Sequence, residues 1–194
     1  MPNQSRDRKQ QILSAARRCF FQFGFKPTTI SMISSYADTS RVTIHKLFSG
    51  KEDIFRQVVE QHFHHTQEQV KMHRVQMTNI WQVVENIVMV LGQPVFQDIK
   101  DKKVHQDLVQ SCMQYAEDLS QNQRQFVRKN LTELIVFALN NQQITLEHLD
   151  MSCAELAQSI ETNVYGLLHS NIDLQAHQTL QQLLKIYRAA TRIE

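Results

Sequence analysis

Apolar residues recur at three- and four-residue spacing along most of the chain, and no two-residue alternation persists long enough to build a sheet. The pattern predicts an all-α fold of about nine helices. From Arg6 to Phe23 the apolar side is Ile12, Leu13, Ala16, Cys19, Phe20 and Phe23. Gly24 is placed to end that helix, Pro27 opposes its continuation, and Phe25 is expected to seat the turn in a hydrophobic site. Two short helical pieces then follow between Thr28 and Phe48. Ile30, Ile33 and Ala37 line the first, with Thr28 or Thr29 able to cap it; Ile44 and Phe48 line the second, which starts near Ser40.

The second piece leaves Arg41, Val42, His45 and Lys46 on a side with no internal apolar partner. A helix this short is unstable alone in water, so its apolar side must dock while its polar side faces something external. Helix, tight turn and exposed second helix is the arrangement that sets a recognition helix in the DNA major groove. Two connector helices in an all-α domain is the plainer reading of the same pattern.

Ser49 to Glu52 is a capping-box pattern and predicts a long helix through Ile54, Phe55, Val58, Val59 and Phe63 to about Val75. A further helix is expected from Met77 to Leu91, ended or kinked by Gly92 and Pro94. The polar run from Gln97 to Gln110 reads as exposed, ahead of a helix carrying Leu108, Cys112, Tyr115 and Leu119. Ser120 with Gln123 suggests another capping box opening a helix to Asn140, and Ser152 with Glu155 a third opening a helix to about Leu168. The last helix runs from beyond Asn171 to about Ala190. The division expected is a head, residues 1–50, and a body, residues 51–194.

Charge sharpens this division. The net charge is +2, but through Arg56 the chain carries 10 Lys or Arg against 4 Asp or Glu, which leaves the remainder at −4. A basic head suits a polyanion. The three cysteines, Cys19, Cys112 and Cys153, are far apart and read as core filling, not as a metal knuckle or dithiol. No leader-like or membrane-spanning run is found, so a cytoplasmic, DNA-associated protein without a membrane partner is expected.

Arg41 can offer a bidentate fork to guanine and Val42 an apolar contact to a thymine methyl. Lys46 and the Arg6, Arg8, Lys9 cluster suit phosphates, as does Lys51 beside the free amides of a helix start. His62, His64, His65 and His73 invite a metal reading, but solvated or pocket-lining histidines account for them as well, and no cofactor or metal is expected. No Walker loop, dinucleotide fingerprint or nucleophile elbow occurs, and no enzyme is expected. In the body, Met77, Trp81, Phe96, Met113, Tyr115, Phe137 and Tyr165 can line an apolar effector cavity or simply fill the core. Leu156, Ile160, Val164, Leu167, Leu180, Leu183 and Tyr187 on the last two helices offer a dimer interface.

Over residues 12–59, ILSAARRCFFQFGFKPTTISMISSYADTSRVTIHKLFSGKEDIFRQVV, the chain resembles the TetR family of bacterial transcriptional regulators. The likeness lies in the Gly-Phe turn, the Thr-initiated second helix, the short recognition helix ending in Phe, and the Lys-Glu opening of the fourth helix. It implies a homodimeric regulator, most often a repressor, released from a palindromic double-stranded DNA operator by a small hydrophobic or amphipathic effector. It also implies a phosphate near Thr29, a base edge near Ser31, base contacts from Arg41 and Val42, and backbone contacts from Thr43, His45 and Lys51. Asp38 stands where the family has a turn glycine, Thr39 for an apolar residue, Val42 for a small one and His45 for tyrosine. These departures bear on the operator sequence. An architectural DNA-binding protein and a helical partner-binding protein are the alternatives.

Overall fold

The computed structural model describes residues 2–75, 79–99, 101–170 and 174–193, with side chains described for 5–72, 79–91, 99, 101–167 and 178–193. The described residues form nine helices and no strand: α1 Pro2–Phe23, α2 Ile30–Tyr36, α3 Arg41–Leu47, α4 Lys51–Val75, α5 Ile80–Asp98, α6 Lys102–Tyr115, α7 Glu117–Asn140, α8 Cys153–Ser170 and α9 Leu174–Ala190. They fall into two compact units. One comprises Met1–His64 with Asp98–Ser120, the other His65–Gln97 with Gln121–Glu194. The unit that holds the head thus also takes the start of α4 and all of α6.

In the first unit α1 buries Ile12, Leu13, Ala15, Ala16, Cys19 and Phe20. The chain leaves α1 at Gly24, whose φ of 91° is left-handed and whose amide still reaches Phe20 O at 2.8 Å. Phe25 is buried, as its place in so short a link requires. Its ring centroid lies 5.8 Å from Phe20, 4.9 Å from Phe55 and 5.0 Å from Tyr115. Thr29 caps α2, accepting from Met32 N–H, and Ser40 caps α3, accepting from Thr43 N–H. Between them Asp38 takes φ 44°, the left-handed turn position that a short polar side chain tolerates in place of glycine.

In the second unit α5, α7, α8 and α9 share a core that includes Val84, Ile87, Leu131, Leu134, Leu156, Ile160 and Leu180. Ser152 opens α8 by the expected capping box: its hydroxyl accepts from Glu155 N–H at 3.2 Å while its own amide donates to Glu155 Oε2 at 2.8 Å.

Several local expectations are corrected. Only Ala116 separates α6 from α7, so α7 starts at Glu117 and not at Ser120. Glu117 and Asp118 suit the positive end of the helix dipole, and Ser120 Oγ donates back to Ala116 O at 3.2 Å from within the first turn. The partner of the Ser49 amide is Asp53 Oδ2, 2.9 Å away, in place of Glu52. Helix α5 does not end at Gly92 or Pro94 but continues to Asp98. The polar run before Gln110 is not uniformly exposed: α6, capped by Asp101, buries His105 and Leu108.

Candidate nucleic-acid interface and body site

Helix α3 is held from beneath by Ile44 and Phe48, both nearly inaccessible, and this turns the opposite side outward. Arg41, Val42, His45 and Lys46 are all exposed, Val42 at 64%. Arg41 Nη1 lies 3.5 Å from Ser31 Oγ, so the outward sides of α2 and α3 meet at these two residues. Thr29 and Ser31 are exposed, while Thr43 is half-buried with its hydroxyl 2.9 Å from Ser40 Oγ. Beside α3 lies a groove of about 560 Å³ lined by Ser5, Asp7, Arg8 and Gln11 of α1 and Thr43, Lys46 and Leu47 of α3. Of the basic cluster on α1, Arg8 faces this groove, whereas Lys9 packs its ammonium 5.6 Å from the centre of the Phe48 ring.

Lys51 is placed differently from a simple phosphate ligand. Its ammonium donates to Phe25 O at 2.9 Å and Lys26 O at 3.3 Å and sits 4.2 Å from the Phe25 ring centroid. Two of its three donors therefore hold the turn between α1 and α2.

Sequence reasoning missed the other ties on that turn and on α2. Asp107 of α6 accepts from the Lys26 backbone amide at 2.9 Å, and Gln110 accepts from Lys26 Nζ at 3.2 Å. Gln11 of α1 donates to Ala37 O at 2.9 Å and Arg18 to Tyr36 O at 3.2 Å, satisfying carbonyls at the end of α2. The Gln11 to Arg18 spacing of seven marks one side of a helix, but spacing alone does not name the carbonyls it reaches. Arg56 clamps α6 to α7, donating to Tyr115 O at 2.6 Å and as a fork to Asp118 at 2.7 and 2.9 Å. The guanidinium hydrogen bonds hold the Asp118 carboxyl down at about 2.

In the body, the residues expected to line one cavity are separated by their environments. Met113 is 64% exposed and Phe137 43% exposed, so neither lines an interior cavity. Tyr115 belongs to the first unit, against Phe25. Trp81 stacks on Tyr187 with centroids 6.4 Å apart, and Tyr165 lies under the Arg124 guanidinium at 5.5 Å. Met77 and the side chain of Phe96 lie outside the described residues. Glu161, completely buried, accepts from Arg124 Nε and from Arg128 Nη2 at 3.0 Å. Burial and the Glu161 charge push the Tyr165 phenol up, so it stays a neutral hydroxyl. A cleft of about 950 Å³ opens beside Trp81, between the start of α5, the turn after α7 and the end of α9.

The expected dimer residues also need correction. Leu156, Ile160, Val164 and Leu180 are buried in the body's own core, and Tyr187 is taken up by Trp81 and by hydroxyl contacts to Ser159 at 2.7 Å and Asn163 at 3.0 Å. Leu167 and Leu183 are half-buried. The apolar surface left outside is Leu183, Ile186 and Ala190 on α9, with Ile186 64% exposed. On α8, Gly166 faces open space.

Among the described residues no three His, Cys, Asp or Glu come together as a metal site, and no helix is long and apolar enough to cross a membrane. The His73 side chain lies outside those described. Burial pushes the Cys19 thiol up, and the Cys112 thiol up to about 12, so both are protonated at neutral pH and are poor nucleophiles.

An N-terminal helix-turn-helix with an exposed, cation-bearing third helix, followed by a helical body, places the chain in the class of helix-turn-helix regulator folds. Residues 12–58 match the model of the bacterial regulatory proteins of the tetR family. A Bacillus subtilis (strain 168) protein described as the uncharacterized HTH-type transcriptional regulator YhgD is 41% identical over 52 residues, a match spanning 27% of each chain. A TetR transcription regulator from Haloarcula marismortui superposes with a TM-score of 0.78 at 18% identity, covering 95% of this chain and 98% of that one. SmeT, the repressor of the Stenotrophomonas maltophilia multidrug efflux pump SmeDEF, does so with a TM-score of 0.68 at 17% identity, covering 94% and 89%. Residues 12–58 thus carry the DNA-binding region described by the tetR-family model, and the chain as a whole has the fold of these solved structures.

Proposed function

We propose that the protein is a homodimeric, ligand-responsive transcriptional regulator that represses from a palindromic DNA operator. The observation that carries the reading is the outer side of α3: Arg41, Val42, His45 and Lys46 exposed together on a helix fixed from below by Ile44 and Phe48. Arg41 and Val42 would read base edges, Ser31 would join them through its proximity to Arg41, and Thr29, Thr43, His45 and Lys46 would meet the phosphate backbone. Lys51 would act mainly by holding the α1–α2 turn, with one donor left for a phosphate. Residues 1–50 would carry DNA recognition and residues 51–194 dimerisation and effector binding.

A single α3 reads few base pairs, whereas a two-fold pair reads two half-sites at a helical-turn spacing. We place the dimer contact on Leu183, Ile186 and Ala190 of α9 and on the Gly166 side of α8, where a missing side chain lets a partner helix approach. SmeT has a solved structure as a complex with triclosan; by analogy, a small organic effector would bind this body. It can release DNA only by favouring the DNA-incompetent arrangement, and bound operator must weaken the effector by the same factor. Selection of bound sequences from random duplexes by the full chain tests the reading. A two-fold-symmetric consensus is expected; recovery of DNA with no shared sequence would favour an architectural binder, and recovery of none would sink both.

A further inference from the structure

The cleft beside Trp81 has a lining of one charge sign. Helix α9 and the two residues that follow it present three sides: Leu180, Leu184 and Thr191 face the core, Leu183, Ile186 and Ala190 lie outside, and Lys185, Arg188 and Arg192 turn into the cleft. No aspartate or glutamate lines it. Among the described residues these three cations have no carboxylate within ion-pair reach, although they sit three and four residues apart, where like charges repel. One cation would suffice to complement the helix dipole at the end of α9, but three around one cleft exceed that need.

The rest of the wall divides into polar and apolar parts. Gln142 and Gln143, from the turn after α7, bring carboxamides, while Ile193, 44% exposed, and the small exposed edges of the otherwise buried Trp81 and Ile80 bring apolar surface. Asn79 already accepts from the Trp81 amide at 2.9 Å and the Gln82 amide at 3.4 Å through its side chain and from the Val83 amide at 3.2 Å through its carbonyl, so the attraction for an anion comes chiefly from the cationic side chains. A volume of about 950 Å³ accommodates a small organic molecule.

We propose that this cleft binds a small amphipathic anion, its carboxylate or phosphate held by Arg188, Arg192 and Lys185 and its apolar portion laid against Ile193 and the exposed edge of Trp81. The inference deepens the effector reading above by naming the chemistry, but binding itself does not depend on DNA recognition.

Trp81 is the only tryptophan in the chain, so its emission reports the cleft directly. The 194-residue chain without DNA would be titrated with decanoate, decyl phosphate, decanol and decyltrimethylammonium, all below their aggregation limits. Saturable changes are expected with the two anions, at least tenfold weaker with decanol, and absent with the cation. Replacing the two exposed arginines together (Arg188→Gln, Arg192→Gln) should weaken anion binding at least tenfold while leaving the far-ultraviolet circular dichroism and melting temperature unchanged. Equal affinity for decanol and decanoate, no saturation with either anion, or unaltered binding by the folded double variant would overturn the proposal. Repeating the titration with operator DNA bound separates the two readings: anion binding without DNA release leaves the cleft assigned and removes it from the switch.

Discussion

The backbone amide of Lys26 donates to Asp107 Oδ2 at 2.9 Å, which ties the turn that launches α2 to a helix more than eighty positions later in sequence. The same oxygen would stand 2.6 Å from a Cβ at Gly24, so turn and carboxylate fit only because residue 24 has no side chain. Lys51 holds the other side of this turn through the Phe25 and Lys26 carbonyls. The position of the helix-turn-helix thus rests on a junction of α1, α4 and α6.

Gly24→Ala should destabilise the protein by about 1 to 3 kcal/mol, combining a left-handed backbone strain with the clash at Asp107. Adding Asp107→Ala should recover part of that loss, because it removes the clash but not the strain of φ 91°. Chemical denaturation of both single variants and the double variant measures the coupling; strict additivity would show that the Asp107 clash contributes nothing.

Arg41→Ala should lose preference for the selected operator by about 1 to 3 kcal/mol, as expected for a bidentate base contact. Lys46→Ala should weaken matched and scrambled duplexes alike and reduce the salt slope by about one. Lys51→Met should instead lower the melting temperature, since it removes the ammonium that ties the Phe25 and Lys26 carbonyls to α4. Salt titrations on matched and scrambled DNA, with melting curves alongside, distinguish the three roles, and identical profiles for Arg41→Ala and Lys46→Ala would refute them.

The Arg56–Asp118 fork predicts a pH effect of definite sign. The Asp118 carboxyl is held at about 2, below its ordinary 3.8, so the ionised form is favoured in the folded state. Its stabilisation is complete above the ordinary value and is lost as pH falls toward the folded value. Asp118→Asn should therefore be less stable than the parent near neutral pH, with the difference closing between about pH 4 and about pH 2. Because Asp118 is exposed, added salt should shrink the difference. Thermal melts across that range provide the check, and a constant offset down to the lowest pH would remove the fork as its cause.

Ile186→Glu places a charge in the exposed apolar side of α9 and should yield folded monomers with reduced operator binding. Ile160 and Leu156 do not offer this test, because both are buried within one chain and a charge at either would unfold the body. Sedimentation of the parent and of Ile186→Glu at micromolar concentration decides the matter; a parent that is monomeric without DNA would exclude this interface.

Read alone, the sequence determined the helices and the layout of the head, because a 3.6-residue apolar period records which side of each helix leaves water. Gly24, Asp38 and the Ser152–Glu155 box could be interpreted there too, since each acts on backbone within a few residues. Tertiary structure decided what that period does not encode, namely which neighbour covers an apolar side. It assigned Leu156 and Ile160 to the body's own core and left Ile186 outside, and it gave Lys51 to the turn carbonyls. It also gathered Trp81, Gln142 and Arg188 around one cleft. Such partners are distant in sequence, and no local pattern of apolar and polar residues specifies the distance between them.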